Sequence, residues 1–159
     1  MVRVFTNGEI IELYELIEKN TIGQQDYVPV IYNFYIQKNF NIIRKLAKEI
    51  LDLRNGIIQR YGVPSEENPN EISISPENVN KINEELENLE NIKQEVTIME
   101  LSLLQLAQLD CDLSTDNLQA IMFMIDDDAN DARKVFKMLT ENEKTGKMDL
   151  ATGEHTEVV

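Results

Sequence analysis

Ile36, Ile43, Ile50 and Ile57 recur at an unbroken seven-residue spacing inside the stretch 30–61. Phe40, Leu46, Ala47, Leu53 and Tyr61 fill the adjacent turns, while Lys38, Arg44, Lys45, Lys48, Glu49, Asp52 and Arg60 take the other faces. Apolar residues recurring at intervals of three and four place one buried stripe on a helix. The pattern therefore predicts one continuous helix over 30–61, roughly 45–50 Å long at 1.5 Å per residue. Pro29 stands where a first helical turn tolerates proline, and Gly62 followed by Pro64 is suited to ending the helix.

Shorter elements flank this helix. Val2-Arg3-Val4-Phe5 alternates and runs into Asn7-Gly8, the pattern of a short strand and a turn. Asn7 is a candidate cap for a helix carrying Ile10, Leu13, Tyr14 and Ile17 on one stripe, with Glu9 and Glu12 near its positive end. Residues 63–71 hold two prolines among polar residues and read as the best boundary in the chain. Ile72 and Ile74 alternate with serines as a short strand. Ser75-Pro76-Glu77 then reads as a cap, a proline at the first helical position and an acidic first turn. The helix behind it seams Val79, Ile82, Leu86 and Leu89. Residues 95–103 read as a strand pairing with either the N-terminal or the Ile72 strand. Ser114-Thr115-Asp116 opens another helix with Leu118, Ile121, Met122 and Ile125 inward. Asp126, Asp127 and Asp128 close it against the helix dipole.

Two seamed helices joined by one loop predict an antiparallel hairpin. The expected fold is mainly α: a long helical hairpin with short flanking helices and at most a small β-sheet, with α+β as the alternative. One helical domain is expected over 1–140, followed by a polar tail or hairpin over 141–159.

Composition narrows the class. Hydrophobic residues make up 42% and charged residues 28% of 159 positions, ordinary for a globular chain. No apolar run approaches a membrane span and the N-terminus lacks a signal-peptide core, so the expectation is a cytosolic protein without membrane partners. The net charge of −14 is lopsided: residues 1–62 carry 8 basic and 7 acidic groups, and residues 63–159 carry 7 and 22. Such a field repels nucleic acid and attracts basic protein faces. Direct nucleic-acid binding is not expected; a solubilising surface, a nucleic-acid mimic and a docking face for a basic partner all fit.

Candidate chemistry is thin. Cys111 stands alone, and the one histidine, His155, lies in the polar tail. A disulfide framework and a cysteine-rich metal site are thereby excluded. Asp126, Asp128 and Asn130 match the first three ligand positions of a calcium loop, but Asp131 replaces its glycine and Lys137 its last carboxylate. No metal and no cofactor are expected, and the chain is not expected to be an enzyme. The aromatics Tyr27, Tyr32, Phe34, Tyr35 and Phe40 exceed what one stripe can bury, which makes Tyr32 and Tyr35 candidate partner contacts. Glu84, Glu87 and Glu90 on the third helix, with Asp126, Asp127 and Asp128, are the acidic candidates. The seams are also compatible with a homo-oligomer.

Several stretches in order carry a resemblance: Phe5-Thr6-Asn7-Gly8-Glu9-Ile10; the helix led by Val28-Pro29-Val30 and ending Arg60-Tyr61-Gly62; Glu84-Glu85-Leu86-Glu87-Asn88-Leu89 running into Val96–Ile98; and Asp112-Leu113-Ser114 before 118–125. In these the chain resembles an uncharacterised family of small proteins encoded by phages and prophages of low-GC Gram-positive bacteria. A basic residue expected near Ile31 is absent, and the stretch after Asp126 is longer. The family has no agreed activity, so no functional residue carries over. The resemblance implies phage origin and action inside a bacterial cell or within a virion. The expected function is that of a phage accessory protein that binds and modulates a host or defence protein. A virion or assembly component is the alternative, and a hydrolase built on the Asp126 cluster is the third reading.

Overall fold

The computed structural model describes residues 1–22, 28–102, 105–106 and 113–125, together with the backbone of 148–149 and 154–155. The chain divides into two compact units, one made of Met1, 19–39 and 98–159, the other of 2–18 and 40–97. Their boundaries fall inside helices and beside a strand, and not at the proline-rich loop 63–71, where the composition suggested one.

The long helix α2 spans Val30–Tyr61, as the periodicity predicts. Its buried positions are Ile36, Asn39, Phe40, Ile43, Ala47 and Ile50. Beyond Ile50 the stripe is no longer covered: Leu53 is exposed, and Ile57 and Tyr61 are half-buried. The heptad pattern identified the helix correctly and overstated how much of it is core.

In the unit of residues 2–18 and 40–97, β1 (Val2–Thr6) pairs antiparallel with β4 (Lys93–Thr97) in the register Val2↔Thr97 to Thr6↔Lys93. Helix α1 (Asn7–Lys19) follows directly. Its cap is Thr6 and not Asn7: Glu9 N donates to Thr6 Oγ1 at 3.2 Å while Thr6 N donates to Glu9 Oε2 at 2.7 Å. This reciprocal capping box satisfies two of the amides that a helix start leaves unpaired. Asn7 is thereby released for another task. Its backbone N donates to Ile92 O at 2.8 Å, its Nδ2 donates to Leu89 O at 2.8 Å, and its Oδ1 accepts from Gln94 Nε2 at 2.5 Å. Because Asn7 is buried, these bonds hold the start of α1 against the end of α3 (Pro76–Glu90).

A β-hairpin of β2 (Gly62–Pro64) and β3 (Ile72–Ile74) joins α2 to α3. Gly62 serves close approach and not a left-handed cap: a Cβ there would overlap Ile72 Cγ2 and lie 3.0 Å from Ile58 O. Ser75 occupies the N-cap position of α3 without using its hydroxyl, and Pro76 takes the first turn. Arg60 and Tyr61 at the end of α2 bond Glu85, and Ile50 and Arg54 share a cleft with Leu86 and Leu89. Numbers rise along α2 as they fall along α3, so the predicted antiparallel hairpin is present. Val79, placed on the α3 seam by its spacing, is exposed. Helix α1 also runs antiparallel to α2, with Glu18 paired to Arg44 at 2.8 Å near one end and Gly8 beside Arg54 near the other.

In the other unit, the strand expected over 95–103 stops at Thr97. Past Thr97 the chain takes other partners: Ile98 N donates to Met1 O at 2.8 Å, and further on Gln105 N donates to Ser102 Oγ at 3.0 Å while Ser102 N donates to Gln105 Oε1 at 2.9 Å, a second capping box. Between Ile98 and Ser102, Met99 is held by the fully buried Asn39 of α2. Asn39 Nδ2 donates to Met99 O at 2.7 Å, and Met99 N donates to Asn39 Oδ1 at 2.8 Å. Helix α4 (Thr115–Ile121) is capped by Ser114, which accepts from Asn117 N, and passes into a 3-10 turn over Met122–Met124. The helix therefore ends before Asp126. Met122, expected inward, is half exposed, while Phe123 and Met124 are buried. Ile125 is extended and bridges Leu101. Asn117, also buried, ties α4 to the segment after α1: Thr21 N donates to its Oδ1 at 2.9 Å and its Nδ2 donates to Thr21 Oγ1 at 3.1 Å. Far along the chain, β5 (Met148–Asp149) pairs antiparallel with β6 (Glu154–His155).

Asn39→Ala strands the N–H and C=O of Met99 and is expected to destabilise the chain by about 1–3 kcal/mol in denaturant unfolding. Asn55→Ala, exposed on the same helix, is expected to shift stability by less than about 0.5 kcal/mol. Hydrogen exchange of the Met99 amide should accelerate selectively in Asn39→Ala. Equal stability changes in the two variants, with Met99 still protected, would refute the clamp.

Candidate interaction surface

The side chains singled out by the sequence fall into three groups. Tyr32 and Tyr35 lie half-buried in the first turns of α2. The residues most exposed there are Val30 at 86%, Phe34 at 58% and Ile31 at 56%. Phe34 sits two positions from buried Ile36, and two helical steps rotate a side chain by about 200°, to the opposite face. The stripe itself thus contained the signal for Phe34 as the outward aromatic. Its ring lies 6.0 Å from that of Tyr35, and the Lys38 ammonium stands 5.9 Å from its centroid. An exposed cation–π contact of this kind contributes about 0.5–1 kcal/mol.

Glu84, Glu87 and Glu90 are all exposed on α3. Glu85, between them, is occupied: its carboxylate accepts from Arg60 Nη1 at 3.1 Å and from the hydroxyl of Tyr61. The ion pair lies at the surface, where such pairs contribute little by themselves. The other three carboxylates project along the side of the hairpin, ending at Glu90 where α3 meets α1. Asp126, Asp127, Asp128 and Asp131 lie outside the described residues, as do Tyr27 and Cys111. Among the described residues, no group of three or more His, Cys, Asp or Glu is placed to hold a metal ion, and no helix is long and apolar enough to cross a membrane.

Sequence reasoning missed the place where Glu90 ends. There α1, α2 and α3 enclose a cleft of about 170 Å³ with apolar walls from Ile11, Ile50, Leu86 and Leu89. Gly8 contributes backbone alone, and Glu12, Glu90 and Arg54 stand around the opening. A wider groove of about 490 Å³ lies further along α1 and α2, where Tyr14, Leu51 and Asp52 join the Glu18–Arg44 pair. That groove mixes polar and apolar lining, and its Arg44 is already paired with Glu18. The apolar cleft arises because α1 begins where α3 ends, leaving a gap against α2 that neither helix fills. Such a junction follows from the Asn7 bonds and has no signature in hydrophobic periodicity.

No protein-family model matches the chain, and no curated protein or solved structure is similar enough to count as a match.

Tyr61 provides a test of the geometry at the end of the hairpin. Its pKa is raised above 10.0, first by the hydrogen bond it donates to Glu85, then by desolvation and by the Glu85 charge, with Arg60 opposing. The bonded species is the neutral phenol. Its contribution to stability is therefore complete below pH 10 and lost as pH rises through the higher folded value. Glu85→Gln should lower the pH at which Tyr61 ionises, read from its ring Cζ resonance. An unchanged titration would show that the two side chains do not meet in solution.

Proposed function

We propose that this protein acts by binding another protein, as a phage-encoded accessory factor that modulates a host or defence component in the bacterial cytoplasm. The observation that carries the reading is the row of exposed carboxylates Glu84, Glu87 and Glu90 on α3, running up to an apolar cleft. Carboxylates that are left in solvent steer encounter with a basic surface, and an adjoining apolar recess supplies a place for short-range contact. The net charge of −14 supports the same direction of attraction. Phage origin is supported by the ordered resemblance along the sequence. A second reading, a virion or assembly component, is favoured by the 32-residue helix α2 with its exposed start at Val30, Ile31 and Phe34, a surface suited to repeated packing. Recovery in purified particles at a fixed copy number would decide for it.

For a partner recovered from host cells, association should slow as salt rises from about 50 to 300 mM, because the Debye length shrinks below about 10 Å. Glu84→Gln, Glu87→Gln and Glu90→Gln together should slow it further, mainly through the on-rate, without lowering the melting temperature. An association rate indifferent to both would remove the acidic face and turn attention to Tyr32, Phe34 and Tyr35.

A further inference from the structure

The glycine of the cleft has no structural reason to be a glycine. Gly8 lies in the first turn of α1, and its φ is not in the left-handed region that favours glycine. A Cβ placed on it would meet Glu90 O at 3.7 Å, Glu90 Cβ at 3.8 Å and Thr6 Oγ1 at 3.8 Å, all ordinary contacts. Alanine would fit, and in a helix interior it is the better residue by roughly 1 kcal/mol, a preference that is smaller in a first turn. Gly62 is a contrast within the same unit, since there a Cβ collides with Ile72. What a side chain at position 8 would do is narrow the cleft. Its walls are aliphatic: Ile50 and Leu89 are buried, Ile11 and Leu86 half-buried.

The opening is weighted towards negative charge. Glu12 and Glu90 stand there against Arg54. Exposed Glu87 lies three residues before Glu90, so that rim carboxylate has an acidic neighbour on its own helix, while the Glu9 carboxylate is held by Thr6 N. The recess is also continuous, through Glu90, with the acidic row of α3.

We propose that this cleft receives one aliphatic side chain of the protein partner, presented on a segment where lysine or arginine flanks it. The apolar side chain fills the space beside Gly8, and the flanking cations meet Glu12, Glu90 and Glu87. This rests on the protein-binding reading above and specifies its contact. Charge complementarity selects a basic segment over an acidic one, and the small volume selects one side chain over a helix face.

The test uses the full chain with labelled Ile and Leu methyl groups, titrated with three synthetic peptides: acetyl-KKLKK-amide, acetyl-KKAKK-amide and acetyl-SSLSS-amide. The expected result is a saturable shift of the Ile11, Ile50, Leu86 and Leu89 methyl signals with KKLKK, and much weaker shifts with the other two. Gly8→Leu should weaken KKLKK binding about tenfold, the scale on which a filled apolar pocket discriminates. Gly8→Ala, which the fold accommodates, should act in the same direction with a smaller factor. Equal binding of KKLKK and KKAKK, unaffected by Gly8→Leu but weakened by Glu84→Gln, Glu87→Gln and Glu90→Gln together, would overturn the cleft and leave the acidic docking face standing. Equal shifts from SSLSS would make the occupant an uncharged apolar group and refute the basic segment. Methyl shifts that follow protein concentration alone would make it a second copy of this chain, which also overturns the proposal. Absence of any peptide-induced shift would overturn both the cleft and the basic-partner reading.

Discussion

Three buried carboxamides carry the constraint on which the rest of the structure depends. A helix satisfies its own backbone, but an extended segment laid against one has amides and carbonyls with no partner, and burying them unpaired is costly. Asn39 resolves this for Met99 with a donor and an acceptor side by side, the same pair a neighbouring strand would present. Asn117 accepts from the Thr21 amide and donates to the Thr21 hydroxyl, and Asn7 takes up Leu89 O at the end of α3. Each bond is worth little net. Each is also directional, and together they fix which segment lies on which helix and in what register. Hydrophobic burial supplies the bulk of the stability, but Ile36, Phe40 and Ile43 have no comparable means of selecting Met99 over its neighbours.

The Asn7 junction has a second effect. It sets the first turn of α1 against the last turn of α3, and two helix ends cover less of a third helix than one continuous helix would. The gap left against Ile50 and Arg54 is the apolar cleft. Capping by Thr6 and Glu9 is what frees Asn7 for the junction, because a residue that caps its own helix has no carboxamide left to give. A local choice at the start of α1 thus determines the most distinctive surface of that unit. Exposed acids on both helices, Glu12 on one and Glu90 on the other, come together there from distant sequence positions.

Much of the helical framework was legible in one dimension. The bounds of α2 follow from an unbroken apolar period with proline before it and glycine after it. The start of α3 follows from Ser75-Pro76, and the N-terminal strand from alternation. These are local signals, encoded by side-chain spacing and by the backbone limits of proline. The capping boxes at Thr6–Glu9 and Ser102–Gln105 were equally local and were outweighed by stronger-looking patterns: Asn-Gly in the first case, alternating apolar residues in the second. The acidic face of α3 was also legible, since a helix with its seam at Ile82 and Leu89 must turn Glu84, Glu87 and Glu90 outward.

What only the tertiary structure decided is everything that depends on two distant segments meeting. Asparagine at positions 7, 39 and 117 reads as surface or cap in a sequence, because its polarity counts against burial until its partner is known. Met99 and Leu89 carry no mark that their carbonyls will be bonded by a side chain sixty or eighty residues away. The strand pairing of β1 with β4 over β3, the exposure of Leu53 and Val79, and the cleft beside Gly8 belong to the same class. Periodicity fixes which face of a helix is apolar, and it leaves open how far along that face a neighbour extends, since coverage is a property of the neighbour.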